Sequence, residues 1–235
     1  MPYRLIIFDF DGTLADSERC ITASMSAALA ECGLAADWTR LRSHIGLPLE
    51  RTIRGIVSQD LDDDQVGEIV RSYRRHHAVL QDRLIELYPG TLETLQQLSA
   101  LGVVLAIASS KITSAVEAAL THFDIGRFFA CVVGGEQVAN GKPAPDMVER
   151  VLKITERPRE EALVVGDTTF DVEMAHNAGV DSCAVTYGNQ TREQLASAHP
   201  SYLAESIREV AGIVERSVER RQSAAETRPL IVGSD

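Results

Sequence analysis

With 235 residues, 45% of them hydrophobic and 24% charged, the chain has the length and balance of a globular protein that can bury a sizeable core. A formal net charge of −11 argues against a basic nucleic-acid-binding face, and no apolar run reaches the roughly 18 residues that a bilayer span needs. Any anionic ligand must therefore be met by positive charge gathered locally, from a metal ion, a lysine or helix N-termini.

The first predicted element is a strand at 3–8 (YRLIIF), a short continuous apolar run of the kind buried on both faces of a sheet. It begins so close to Met1 that no signal peptide is expected. The stretch 17–84 holds no strand-like run; its apolar spacing predicts helices at 18–32, 48–58 and 63–81, punctuated by Gly33, Gly46 and Pro48. Asp62, Asp63 and Asp64 suit the N-terminus of the third helix. Alternation of strand and helix then resumes. Apolar runs at 103–108, 130–133, 162–165 and 182–185 alternate with helix-length segments at 91–101, 113–122, 146–154 and 170–178. This pattern predicts an α/β fold, a parallel sheet covered on both faces, with a helical insertion directly after the first strand. The expected division is a core domain of 1–16 and 85–220, a helical cap of 17–84 and a C-terminal tail of 221–235. Cys20, Cys32, Cys131 and Cys183 form no metal-type or redox pair, and read as reduced thiols of a cytoplasmic protein.

Four features carry chemistry. Asp9-Phe10-Asp11-Gly12-Thr13 ends the first strand, where ligands of open parallel sheets bind; two carboxylates can converge there and Gly12 allows a sharp turn. Gly166-Asp167-Thr168-Thr169-Phe170-Asp171 repeats the arrangement after the run at 162–165. Each taken alone could be a helix cap with a first-turn acid. Together they put up to four carboxylates at one sheet edge, and without a cation they would repel one another. Oxygen ligands with no Cys or His pair nearby favour Mg2+ over zinc. Lys142, fixed between Gly141 and Pro143 in a chain with only three lysines, is the candidate local positive charge. Ser109 and Ser110, after the run at 103–108, could receive a phosphate oxygen at a helix start, or simply cap that helix.

In this order these segments resemble the four motifs of the haloacid dehalogenase (HAD) superfamily of phosphohydrolases: DFDGT at 9–13, Ser109, Lys142 in GKPAPD, and GDTTFD at 166–171. The resemblance covers nearly the whole chain and implies a Rossmann-like core of five parallel strands with an inserted α-helical cap. It further implies that Asp9 is the nucleophile and Asp11 the general acid and base. Mg2+ would be held by Asp9, the Asp11 main-chain carbonyl and Asp167. Lys142 and Ser109, with Ser110 beside it, would bind the phosphoryl group, and Asp171 would orient Lys142 or a metal-bound water, with Gly12 and Thr13 in support.

Within the superfamily, dehalogenases lack an acid at the position of Asp11, and the phosphonate-cleaving members need a cap lysine, whereas this chain has no lysine before Lys111. Sugar-phosphate mutases typically carry a histidine where Ile21 stands and often Glu-Asp where Gly166-Asp167 stands. Segments at 14–17, 44–53, 87–98 and 185–195 resemble the phosphoglycolate phosphatase group, and also pyrophosphatases and sugar- or nucleotide-phosphate phosphatases. The expected substrate is thus a small phosphorylated metabolite, with 2-phosphoglycolate the leading candidate. A phosphate-binding protein without catalysis is the remaining non-enzymatic alternative. On the cap, His44, Arg51 and Arg54 are candidates to meet a second anionic group, while Arg74–His77 reads as a solvated helix face. No nucleic-acid or membrane partner is expected, and the acidic surface is compatible with a monomer or a homodimer.

Overall fold

A computed structural model describes residues 2–226 of the chain. Its elements run β1 (Leu5–Phe8), β2 (Ala15–Asp16), α1 (Glu18–Glu31), α2 (Trp38–His44), α3 (Leu49–Ile56), α4 (Asp63–Leu84), β3 (Glu86–Leu87), α5 (Thr91–Ala100), β4 (Val104–Ser109), α6 (Thr113–His122), β5 (Phe129–Gly134), α7 (Asp146–Thr155), β6 (Ala162–Gly166), α8 (Thr169–Asn177), β7 (Asp181–Val185), α9 (Arg192–Ser197), β8 (Tyr202–Ala204) and α10 (Ile207–Glu226).

The main sheet has six parallel strands in the order β5-β4-β1-β6-β7-β8, one more than the family resemblance implied. The sixth, β8, is a three-residue edge strand that pairs with β7 through Cys183–Tyr202 to Val185–Ala204. β1 lies between β4 and β6, with Phe8 level with Ile107 on one side and Val165 on the other. Strands are added outward through β4 and β5, and the chain then returns to the other side of β1 to lay down β6. The loops after β1, β4 and β6 therefore open at one sheet edge beside a change in strand order, where open α/β sheets bind ligands.

Both faces of the sheet are dry, which accounts for the unbroken apolar runs. Ile6 and Phe8 pack with Leu95, Leu98, Val116, Leu120, Val210 and Val214 on one side. Leu5 and Ile7 pack with Met147, Val148, Val151, Met174 and Ala175 on the other.

Helices α1–α4 have a separate core of Met25, Leu29, Leu41, Ile53, Ile56, Val66 and Ile69. There are four of them, where the sequence predicted three. α2 was missed because only Leu41 of its seven residues is buried and Trp38 is exposed, so no apolar stripe marks it. Asp37 caps it, accepting from the Thr39 N–H at 3.1 Å. α4 starts with a capping box between Asp62 and Gln65 and extends past the predicted end. The chain enters and leaves this helical unit through β2 and β3, a two-stranded antiparallel ribbon. At the other end, α10 runs through the predicted start of the tail at 221 as far as Glu226; positions 227–235 lie outside the described residues.

Candidate active site

The turn after β1 brings Asp9 to the end of the sheet, its N–H donating to the Val165 carbonyl at 2.8 Å as though β1 continued one residue further. Gly12 follows with φ +85°, and a Cβ there would come within 2.2 Å of the Asp167 and Asn189 side chains. Only glycine allows the turn to pass this close beneath the acids.

Asp167 arrives from the end of β6. Its Oδ1 accepts from the Thr13 hydroxyl at 3.1 Å, and its Oδ2 accepts from the backbone and side-chain amides of Asn189, both at 2.7 Å. Asp171 sits in the first turn of α8, where its Oδ2 accepts from the Thr168 N–H and hydroxyl at 3.0 and 2.6 Å. Its other oxygen, Oδ1, accepts from Lys142 at 2.6 Å.

Lys142 is wholly buried, carried on the loop between β5 and α7. Its ammonium also lies 2.8 Å from Asp9 Oδ1, within ion-pair distance but off the direction of a good hydrogen bond, so that this oxygen remains without a well-directed donor. The pairing of Lys142 with Asp171 is one of the two roles the resemblance implied for Asp171.

One oxygen from each of the buried carboxylates Asp9, Asp167 and Asp171 lies within 4.8 Å of the other two. Three acids against one lysine leave the site short of positive charge, and their protonation behaviour shows it. Burial, with Asp171 opposing the Lys142 charge, pushes Asp9 up to about 6. Burial followed by the charges of Asp171 and Asp9 pushes Asp167 up to about 8. Burial works to lower the pKa of Lys142, but Asp171 and Asp9 outweigh it and hold the value above the ordinary one. A divalent cation among oxygen ligands would answer this imbalance, and the orphaned Asp9 oxygen is available to one.

Asp11 does not join the trio with its carboxylate. It turns to Lys111, whose ammonium donates to both carboxylate oxygens at 2.8 and 3.1 Å. Burial raises the Asp11 pKa, but the Lys111 charge and hydrogen bond, with help from Ser17, leave it below the usual carboxylate value. Sequence reasoning assigned Lys111 no role. The available signal was its place directly after Ser109-Ser110, in a loop at the same sheet edge. Asn189 was also missed; it stands in the loop after β7, again at that edge.

Ser109 is buried at the end of β4, and its hydroxyl accepts from the Lys111 N–H at 3.3 Å. The Ser110 hydroxyl is engaged elsewhere than expected: it donates to the Gly46 carbonyl of the helical unit at 2.6 Å. A cavity of about 620 Å³ opens between sheet edge and helical unit, lined among others by Asp9, Asp11, Ser109, Arg51, Arg74 and His77.

Of the three expected cap residues, the structure brings only Arg51 to this cavity, at its exposed side. Arg54 points away, pairing with Asp63 at 2.6 Å and donating to the Leu61 carbonyl. His44 does not line the cavity either; its Nδ1 lies 2.8 Å from the Arg40 carbonyl. Conversely, Arg74 and His77 do not belong to a fully solvated face. Arg74 borders the cavity, and His77 is 3% exposed.

Comparison with known proteins agrees with this geometry. The family model described as "Haloacid dehalogenase-like hydrolase" matches residues 6–185. "Phosphoglycolate phosphatase 1" of Pseudomonas aeruginosa is 31% identical over 226 residues, 92% of this chain and 81% of that protein. "Pyrophosphatase PpaX" of Oceanobacillus iheyensis is 28% identical over 214 residues, 91% of this chain and 98% of that one. Among solved structures, a haloacid dehalogenase-like family hydrolase from Streptococcus pneumoniae superposes with a TM-score of 0.78 at 28% identity, covering 90% of this chain and 98% of its own. With the family model spanning most of the chain and the acids and lysine gathered at one sheet edge, the protein belongs to the haloacid dehalogenase-like hydrolases.

Proposed function

We propose that the protein is a Mg2+-dependent phosphatase that hydrolyses a small phosphomonoester through a phosphorylated Asp9, with 2-phosphoglycolate as the leading candidate substrate. The observation that carries this reading is the cluster of Asp9, Asp167 and Asp171 around one buried lysine. A carboxylate and a phosphate repel each other by roughly 4 kcal/mol at about 4 Å and an effective dielectric near 20, so attack requires positive charge on both groups.

Asp9, Asp167 and the Asp11 carbonyl would hold the metal. When bound, Mg2+ neutralises the phosphoryl oxygens and aligns them for in-line displacement. Lys142 keeps its proton and offers its charge to those same oxygens, steadied by Asp171. Asp9 attacks phosphorus, forming an acyl phosphate and expelling the leaving alkoxide. Asp11 gives that alkoxide a proton and later takes one from the attacking water. Asp11 is paired with Lys111, so a substrate whose own anion draws Lys111 away would free Asp11 for this task.

Support for 2-phosphoglycolate comes from the relative of that name at 31% identity, and the pyrophosphatase at 28% keeps inorganic pyrophosphate as the alternative. A panel of phosphorylated metabolites and pyrophosphate, assayed for phosphate release with Mg2+ and with chelator, tests the proposal. Release from 2-phosphoglycolate that stops when the metal is removed is expected. Metal-independent release, or none from any monoester, would contradict it.

A further inference from the structure

Among the described residues, four buried side-chain polar atoms lack a hydrogen-bond partner, and three of them belong to residues lining the active-site cavity: Asp9 Oδ1, His77 Nε2 and Gln81 Oε1. The first has a place in the acid cluster. The other two have none. They lie one turn apart on α4, on the same side of the helix, in a segment otherwise rich in charge. An orphaned buried polar atom costs stability, so two side chains at a cavity wall that each carry one gain a partner by turning the ring or the amide toward a bound ligand.

The rest of that wall indicates the ligand. Lys111 is a cation that lines the same cavity, and its charge acts on His77. Burial first, and the Lys111 charge second, push His77 down to about 3, so it stays neutral and offers an N–H without adding a second charge. Ile21 and Met25 of α1 supply an apolar wall, which strengthens polar contacts by excluding water.

Building on the phosphatase reading, we propose that His77 and Gln81, with Lys111, form the subsite for the leaving group and select a short hydroxy acid. Its carboxylate is held by the Lys111 ammonium and the His77 N–H, and a second, unphosphorylated hydroxyl, where the acid carries one as in 3-phosphoglycerate, donates to Gln81 Oε1. This subsite takes over the role that sequence reasoning gave to His44 and Arg54, neither of which lines the cavity.

The test compares two pairs of substrates. 2-Phosphoglycolate is set against ethyl phosphate, and 3-phosphoglycerate against glycerol 3-phosphate; the second member of each lacks the carboxylate. In at least one pair the acid should be preferred by about tenfold or more in kcat/KM, the scale of a hydrogen bond to a charged group. His77→Phe should remove most of that preference through KM, changing the neutral partner by less than about twofold, while Gln81→Leu should raise KM for both glycerol-based compounds, which share the free hydroxyl, and leave 2-phosphoglycolate and ethyl phosphate within about twofold. Neither substitution should lower Tm, because each replaces an unsatisfied polar group with an apolar one of similar size. Equal loss on both members of a pair in His77→Phe, a loss on ethyl phosphate in Gln81→Leu, a fall in Tm, or no preference for either acid in the unaltered protein would overturn the subsite.

Calorimetric binding of the same four compounds to Asp9→Asn separates the two levels of the account. Selective binding of the acids by Asp9→Asn, with no phosphate released from any of the four by the unaltered protein, would sink the hydrolase reading and leave the subsite standing. Equal hydrolysis of all four would do the reverse.

Discussion

Three buried acids face one buried lysine, and this imbalance is the feature from which the chemistry follows. Asp167 carries it most visibly. In the unfolded chain its pKa is that of an ordinary aspartate; in the folded, metal-free protein it is pushed up to about 8. The folded state thus holds a proton that the unfolded state has already lost. Stability from this group is greatest at low pH and falls as pH rises toward the folded value. His77, whose pKa is lowered, acts in the opposite sense, but only below its unfolded value of about 6.5. Between about pH 6.5 and 8, then, the chelator-treated protein should lose Tm by a few degrees, and saturating Mg2+ should restore it, since the metal takes the ionised carboxylates. Asp167→Asn should flatten both effects. A Tm that ignores both pH and Mg2+, or an unchanged slope in that variant, would contradict the charge account. The acids themselves were legible because each follows an apolar run that had to be a strand. His77 was not. Four polar residues in a row read as a wet helix face, and only the packing of α4 over the sheet edge buries one of them.

At the scale of elements, two side-chain hydrogen bonds tie the helical unit to the core. The Ser110 hydroxyl donates to the Gly46 carbonyl at 2.6 Å, and Arg42 donates to the Gly188 carbonyl at 3.2 Å. Ser110 therefore latches the two units together in this structure. Ser110→Ala should cost about 1 kcal/mol of closure, appearing as roughly a fivefold rise in KM with kcat little changed. A hundredfold fall in kcat at constant KM would instead return the hydroxyl to the phosphoryl group. The elements that escaped sequence reading are the short ones. β2 and β3 have two residues each and β8 has three, so no periodicity can develop within them; partners far away in the chain define them. The strands buried on both faces were readable for the opposite reason, since β1, β4 and β6 consist almost wholly of apolar residues.

At the scale of the whole molecule, a chain of net charge −11 presents a repulsive surface to a phosphate ester. It must concentrate cationic character in one place. The fold prepares for this by changing strand order beside β1, so that acids from β1 and β6, able to hold a divalent cation, converge with a serine from β4 and a lysine from the loop after β5. The helical unit then closes the cavity from above with Arg51, Arg74 and His77. The most direct test is to find where phosphate resides during turnover. Protein incubated with 2-phosphoglycolate and Mg2+, quenched in acid and digested, should yield phosphate on the peptide that carries Asp9, and none after Asp9→Asn, which should also abolish release. Phosphate bound to a different residue, or undiminished turnover by Asp9→Asn, would contradict the account.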